Sequence, residues 1–301
     1  MRNHITQFLH YISVERGFSP RTIEAYEYDL NKFVEFLESI NKADIKTVSR
    51  NDIRAFLSEL ARNGFKKPNA EITRARKLSS IKSFFKYLVR YDVLDKNPAS
   101  DIETPKLPQR EPSYLTQEEY QRLLSIIKPR AAAACAVRDL AIVTTFLGTG
   151  IRLSELVGLT LDSVNLQDAQ VSMRVRGKGN KERTIPLNEE VIVVLKKYLK
   201  VRPEVATDRL FIGRLGRGLC TGSVYHLIKH YLKEAGIKRE KVSVHSLRHT
   251  YSVSLLGIGA SLLDIQTLLG HQKLETTRRY LHVNSAALRK VVDRLVLNKQ
   301  Q

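Results

Sequence analysis

His245, Arg248, His249, His271, Arg279 and Tyr280 all fall in one run, VSVHSLRHTYSVSLLGIGASLLDIQTLLGHQKLETTRRYLHV, between Val242 and Val283. The run packs phosphate-binding and proton-moving groups together and nearly ends on a tyrosine. His245 and Arg248 are three apart, so on a helix they share a face. Suppose that Arg152 and Lys178, from earlier segments, converge on them and on His271. Two guanidiniums can clamp one phosphate bidentately, a task Lys does less well. That neutralises charge where it grows in a phosphoryl-transfer transition state. A Lys and a His supply proton donors and acceptors, and Tyr280 supplies a nucleophile. A phenol ionises near pH ~10, so paired cations are needed to favour its phenolate.

The same spacing admits a metal site, with His245 and His249 four apart and His271 as a third ligand. The zincin pattern, however, needs Glu beside the first His, and Ser246 stands there. Arg248 would also repel a cation. No metal or cofactor is therefore expected, and His249 reads as a packed or supporting residue. Each residue alone has an ordinary reading too. Tyr280 could be core, Arg152 could pair with Glu155 or Asp162, and Lys178 could be turn polarity. The conjunction argues for chemistry.

The chain that must position these groups has 301 residues, room for two domains of ~100–200 residues each. It is 43% hydrophobic and 27% charged, as in ordinary soluble proteins. Its net charge is +19, of which residues 1–100, with 18 Lys/Arg against 12 Asp/Glu, hold +6. The excess is thus spread through both parts, which points to a polyanion, nucleic acid first; the alternative is a merely solvated basic surface. Cys135, in an apolar run, and Cys220 are the only cysteines, so neither a disulfide framework nor a cysteine zinc site is expected. Without an apolar leader or a run of ~18 apolar residues, the expected location is cytoplasmic, on the nucleoid.

Helical periodicity fills residues 1–100. Ile5, Phe8, Leu9 and Ile12 mark a first helix, and Ser19-Pro20 opens a second with Ile23, Tyr26, Leu30, Phe33 and Leu37 inward. Ser49 with Asp52 starts a third, stopped at Gly64, and a fourth covers about Glu71 to Tyr91. Its Arg74, Arg76, Lys77, Lys82 and Lys86 could line a DNA groove, contacting phosphates rather than bases. Residues 101–113, including IETPKLPQREPS, read as a semi-extended linker.

Residues 114–301 are mixed. Thr116 and Glu119 form a capping box. A helix from about Ala134 to Leu147 is broken by Gly148 and Gly150, and Arg152 opens the next turn. Val171, Met173 and Val175 alternate, GKGNKER turns, and Thr184-Ile185-Pro186 extends: a β-hairpin with Lys178 on its turn. Helices are expected near 188–200, 221–235, 244–257 and 262–268, the last capped by Ser261 and Asp264. Gly270 then places His271 on the turn beyond. A short helix carries Tyr280, and Leu288, Val291, Val292, Leu295 and Val296 repeat at the end.

LGTGIRLSELVGL, GKGNKERTIPL, HSLRHTYS and LLGHQKLETTRRYLHV, in this order, resemble the tyrosine recombinase (phage integrase) family, and within it the Xer-type, two-domain members. The likeness extends to GFSPRTIEAYEYDL and so to essentially the whole chain. It implies a mainly α protein with a small β-sheet in the second domain: a four-helix, SAM-like core-binding domain over 1–100, the linker 101–113, and a mixed α/β catalytic domain over 114–301. By motif, Arg152 becomes the first catalytic arginine, with Glu155 supporting it. Lys178 becomes the donor to the leaving 5′-oxygen, His245 and Arg248 the His-x-x-Arg pair, His271 the second histidine and Tyr280 the nucleophile. Arg278 and Arg279 are not diagnostic. The resemblance further implies cleavage and rejoining of double-stranded DNA through a 3′-phosphotyrosyl link and a Holliday junction, without ATP or metal. It implies a homo- or hetero-tetramer on two sites, with segment 285–297 docking on a neighbouring protomer and an activating partner as an open requirement. Dimer resolution and mobile-element integration or excision both fit. A type IB topoisomerase or a catalytically silent DNA-binding accessory protein would be the alternatives.

Overall fold

Ser19 and Pro20 start a helix as their chemistry dictates: the Ser19 hydroxyl accepts from the Thr22 N–H at 3.3 Å and Pro20, which lacks an N–H, opens the first turn. The computed structural model describes residues 1–63, 69–104, 113–127, 134–167, 170–239 and 242–271. The chain divides into two compact units, Met1–Gln109 and Arg110–Gln301.

The first unit contains α1 (Arg2–Val14), α2 (Pro20–Ser39), α3 (Arg50–Arg62) and α4 (Glu71–Arg90). Phe8, Phe33, Phe56, Phe84 and Phe85 are buried at its centre. Phe33 and Phe56 meet edge-on with centroids 5.1 Å apart, a geometry that adds about 0.5–1.5 kcal/mol beyond burial. One part of the basic face expected on α4 is absent. Lys77 is 2% exposed and its Nζ donates to Asp29 Oδ1 at 3.0 Å, while Arg76 and Ser80 bond Asp29 Oδ2. Lys77 therefore neutralises a buried carboxylate and does not line a groove; Lys86 remains exposed.

The second unit holds α5 (Gln117–Ile127), α6 (Ala134–Thr149), α7 (Leu153–Gly158), β1 (Val164–Asn165), β2 (Ser172–Arg176), β3 (Glu182–Pro186), α8 (Glu189–Val201), α9 (Thr221–Glu234), α10 (Val244–Gly257) and α11 (Leu262–Leu269). Apolar on nearly every side, α6 is the central helix, packed against α5, α8 and α10. It runs through Gly148, contrary to the expected break. A side chain at 148 would collide with Val191 Cγ2, so this glycine serves the close approach of α8; Gly150, at φ +60°, makes the turn. Strands β1, β2 and β3 pair antiparallel in that order. At two residues, β1 is too short to announce itself by alternation. Cys135 is exposed despite its apolar neighbours. No helix among the described residues is long and apolar enough to cross a membrane.

Gly64, linker residues 105–112, Arg278, Arg279, Tyr280 and the segment 285–297 lie outside the described residues.

Candidate active site

Three separate segments meet at the C-terminal end of α11. That end is closed by Gly270 in the left-handed conformation, φ +63°, which lets the His271 N–H reach back to the Gln266 carbonyl at 3.0 Å and the Gly270 N–H to Thr267 at 3.1 Å. The carbonyls of Leu268, Leu269 and Gly270 are left without intrahelical partners, as at any helix end. Each receives a guanidinium. Arg183 Nε donates to Leu268 at 2.9 Å, Arg248 Nη2 to Leu269 at 2.7 Å and Arg152 Nη2 to Gly270 at 3.1 Å. The negative pole of the helix favours the three cations further.

Arg152 immediately precedes α7. Its backbone N–H donates to Glu155 Oε2 at 2.7 Å and its Nη1 to Glu155 Oε1 at 2.6 Å. Burial alone would raise the Glu155 carboxyl. The bonds from Arg183 and from the Arg152 backbone and side chain outweigh it and hold the pKa down to about 2. Arg248, on α10, is 6% exposed and also donates to the Gly150 carbonyl at 2.6 Å. A Cβ on Gly150 would press into the Tyr251 ring and lie 2.9 Å from Leu269 Cδ2, so only glycine lets the end of α6 come this close to α10 and α11.

His245 stands one turn before Arg248 and keeps a solvent-facing side. Its pKa is lowered, first by partial burial of the ring, then by the charges of Arg248 and Arg152. The neutral imidazole is thus favoured, a proton acceptor beside two cations. His271 is half-buried just beyond Gly270, and its carbonyl accepts from Gln266 Nε2 at 3.0 Å. Lys178 begins the short 3-10 turn Lys178–Asn180 that joins β2 to β3. His249 is half-buried on α10. Among the described residues, no three His, Cys, Asp or Glu side chains are grouped to hold a metal ion. Arg152, His245, Arg248 and the His271 turn are therefore neighbours.

One residue of this cluster escapes the sequence reading. Arg183 sits inside the GKGNKERTIPL motif, where its two-residue spacing from the buried Ile185 puts it on the inward face of β3. An arginine facing a core needs buried acceptors, and that was the available signal.

Residues 113–287 match the Phage integrase family model, and residues 5–92 match the phage integrase N-terminal SAM-like domain. The chain belongs to the phage integrase family. It is 38% identical to the tyrosine recombinase XerC of Caldanaerobacter subterraneus subsp. tengcongensis, covering 98% of this chain and 87% of that protein. It is 39% identical to the tyrosine recombinase XerD of Proteus mirabilis, covering 95% and 90%. The site-specific recombinase XerH, in a post-cleavage complex with its palindromic difH substrate, has the same fold, with a TM-score of 0.75 and 24% identity over 96% of this chain and 84% of that one. This tyrosine recombinase is an enzyme that cleaves and rejoins DNA, with a helical SAM-like N-terminal domain and a mainly helical catalytic domain around a small sheet. The topoisomerase and accessory-protein readings are not favoured: the SAM-like domain and the likeness to XerC and XerD along the whole chain both go with site-specific recombination.

Proposed function

We propose that this recombinase is a Xer-type enzyme that resolves chromosome or plasmid dimers, with Arg152, Lys178, His245, Arg248, His271 and Tyr280 as its catalytic residues. The observation that carries the residue assignment is the meeting of Arg152, from the start of α7, with His245 and Arg248, both on α10, beside the turn that bears His271. The near full-length likeness to XerC and XerD supports the biological role.

The Tyr280 phenolate oxygen attacks the scissile phosphorus. The bond from phosphorus to the 5′-oxygen breaks, and Lys178 protonates that oxygen as it leaves. Arg152 and Arg248 neutralise the phosphoryl oxygens, His271 donates a hydrogen bond to one of them, and neutral His245 takes the phenol proton. The product is a 3′-phosphotyrosyl link with a free 5′-hydroxyl. A 5′-hydroxyl from the partner duplex then attacks the link, restores the phosphodiester and releases Tyr280. Bond energy stays in the covalent intermediate, so the scheme needs no ATP. Four protomers, identical or from two related recombinases, hold two sites through a Holliday junction. Residues 1–100 and 114–301 grip the DNA as two domains joined by 101–113, and segment 285–297 docks on a neighbour. The reaction takes place on cytoplasmic DNA.

The test begins with duplexes selected by binding from a random-sequence pool, then nicked at successive positions so that a cleaved fragment diffuses away. Wild type and Tyr280→Phe are run on denaturing gels in EDTA. An adduct with wild type alone supports the scheme, an adduct with both means that another residue attacks, and none with either at any nick overturns cleavage by this chain alone.

A further inference from the structure

Arg183 ties two parts of the site together. Its guanidinium uses three directions of its plane: Nη1 to Glu155 Oε1 and Nη2 to Glu155 Oε2, both at 2.9 Å, and Nε to the Leu268 carbonyl at 2.9 Å. Its side chain is 15% exposed against 33% for Arg152, which leaves Arg152 the more open member of the pair. Glu155 Oε1 is shared between the two arginines. Through that carboxylate Arg183 fixes Arg152. Through Leu268 it fixes the end of α11, two residues before Gly270 and three before His271. It also lies on β3, the strand that leaves the Lys178 turn. Two glycines mark how tightly this is built. A Cβ on Gly270 would lie 3.1 Å from Arg183 Cδ, and one on Gly177, just before Lys178, would lie 3.3 Å from Glu155 Oε1.

We propose that Arg183 is a positioning residue for strand cleavage: it joins the Lys178 hairpin, Arg152 by way of Glu155, and the His271 turn into one rigid frame. The inference rests on the cleavage reaction proposed above. A lysine cannot replace Arg183, because its ammonium is a point donor without the planar fork that spans both carboxylate oxygens and a carbonyl. A displacement of about 1 Å in such a frame costs cleavage rate on the order of 100-fold while leaving DNA affinity, set by many phosphate contacts, nearly intact.

The experiment measures single-turnover adduct formation by the full chain on the nicked duplexes, and DNA affinity by gel shift, for wild type, Arg183→Met, Arg183→Lys, Glu155→Gln and the Glu155→Gln/Arg183→Met double variant. Arg183→Met is expected to slow adduct formation about 100-fold with affinity within about 3-fold, and Arg183→Lys to recover less than about a tenth of the loss. The double variant is expected to fall within about 3-fold of the slower single variant, since both substitutions cut one link. Losing Arg183 also frees Glu155 to titrate upward, so the acid limb of the rate moves to higher pH; a purely structural defect would lower the rate equally at every pH. Should Arg183→Met fail to fold, Arg183→Lys, which keeps the charge, carries the same comparison. A rate within about 3-fold of wild type, affinity lost in step with rate, or multiplicative effects in the double variant would each overturn the inference. Absence of a wild-type adduct would instead sink the cleavage reaction itself.

Discussion

Glu155 Oε1 accepts from two guanidiniums at once, Arg152 Nη1 at 2.6 Å and Arg183 Nη1 at 2.9 Å. One buried carboxylate between two cations has consequences for stability as well as for cleavage.

Glu155→Gln leaves both arginines without their counter-charge in a site where the carboxylate is 1% exposed, and should destabilise the second unit by about 3 kcal/mol. The effect is read from the urea midpoint. Its pH dependence follows from the lowered pKa. The stabilisation is fully present above the ordinary value of 4.5 and is lost as pH falls towards about 2. Wild type and Glu155→Gln should therefore converge in stability across that window. Equal midpoints at pH 7 would refute this account.

His245 should titrate below its ordinary value of 6.5 in the free protein. Carbon-labelled imidazole followed by NMR gives the midpoint directly. Arg152→Gln removes one of the charges responsible and should shift it upward, because the protonated ring then meets less repulsion. Cleavage that needs the neutral ring declines as pH falls through the lowered pKa. A midpoint at or above 6.5 would remove His245 from the role of acceptor.

Tyr251 lies within reach of the Arg183 charge, its ring set against Gly150. Burial raises its pKa, and the Arg183 charge offsets this only in part. The phenolate is disfavoured there, so Tyr251→Phe should keep adduct formation within about 3-fold of wild type. An adduct lost with Tyr251→Phe and kept with Tyr280→Phe would exchange their roles.

Gly148→Ala should destabilise by about 1 kcal/mol or more, although alanine gains about 1 kcal/mol in helix propensity over glycine. The new methyl meets Val191 Cγ2, a stiff β-branched side chain on α8 that has no flexible end to move aside. Denaturant unfolding checks the sign. A stabilised variant would mean that the two helices can separate freely at this point.

Much of the fold was legible because its elements carry local signals. Ser19-Pro20, Ser49 with Asp52 and Ser261 with Asp264 announce helix starts that the structure contains. Alternation through Met173 and Val175 announces β2. Gly148 misled because its reason is tertiary: local propensity marks a breaker, and only the nearness of α8 explains a helical glycine. Lys77 misled for a similar cause, since its partner Asp29 lies 48 positions away. In the site, residue types and order pointed to Arg152, His245 and Arg248 as neighbours. Arg183 escaped because a motif read as a turn hid an inward-facing charge. The shared end of α11 escaped because backbone carbonyls leave no trace in a sequence.

That shared end gives the site a common fate. Arg152, Arg183 and Arg248 each hold one of three consecutive carbonyls, and the left-handed turn at Gly270 keeps those carbonyls in place. When that turn opens, each of the three loses one anchor at the same moment and keeps only its bonds to Glu155 or to the Gly150 carbonyl. The fraction of molecules with the complete arginine cluster therefore cannot exceed the closed fraction of one helix terminus, a quantity that hydrogen exchange at the Gly270 and His271 amides would report.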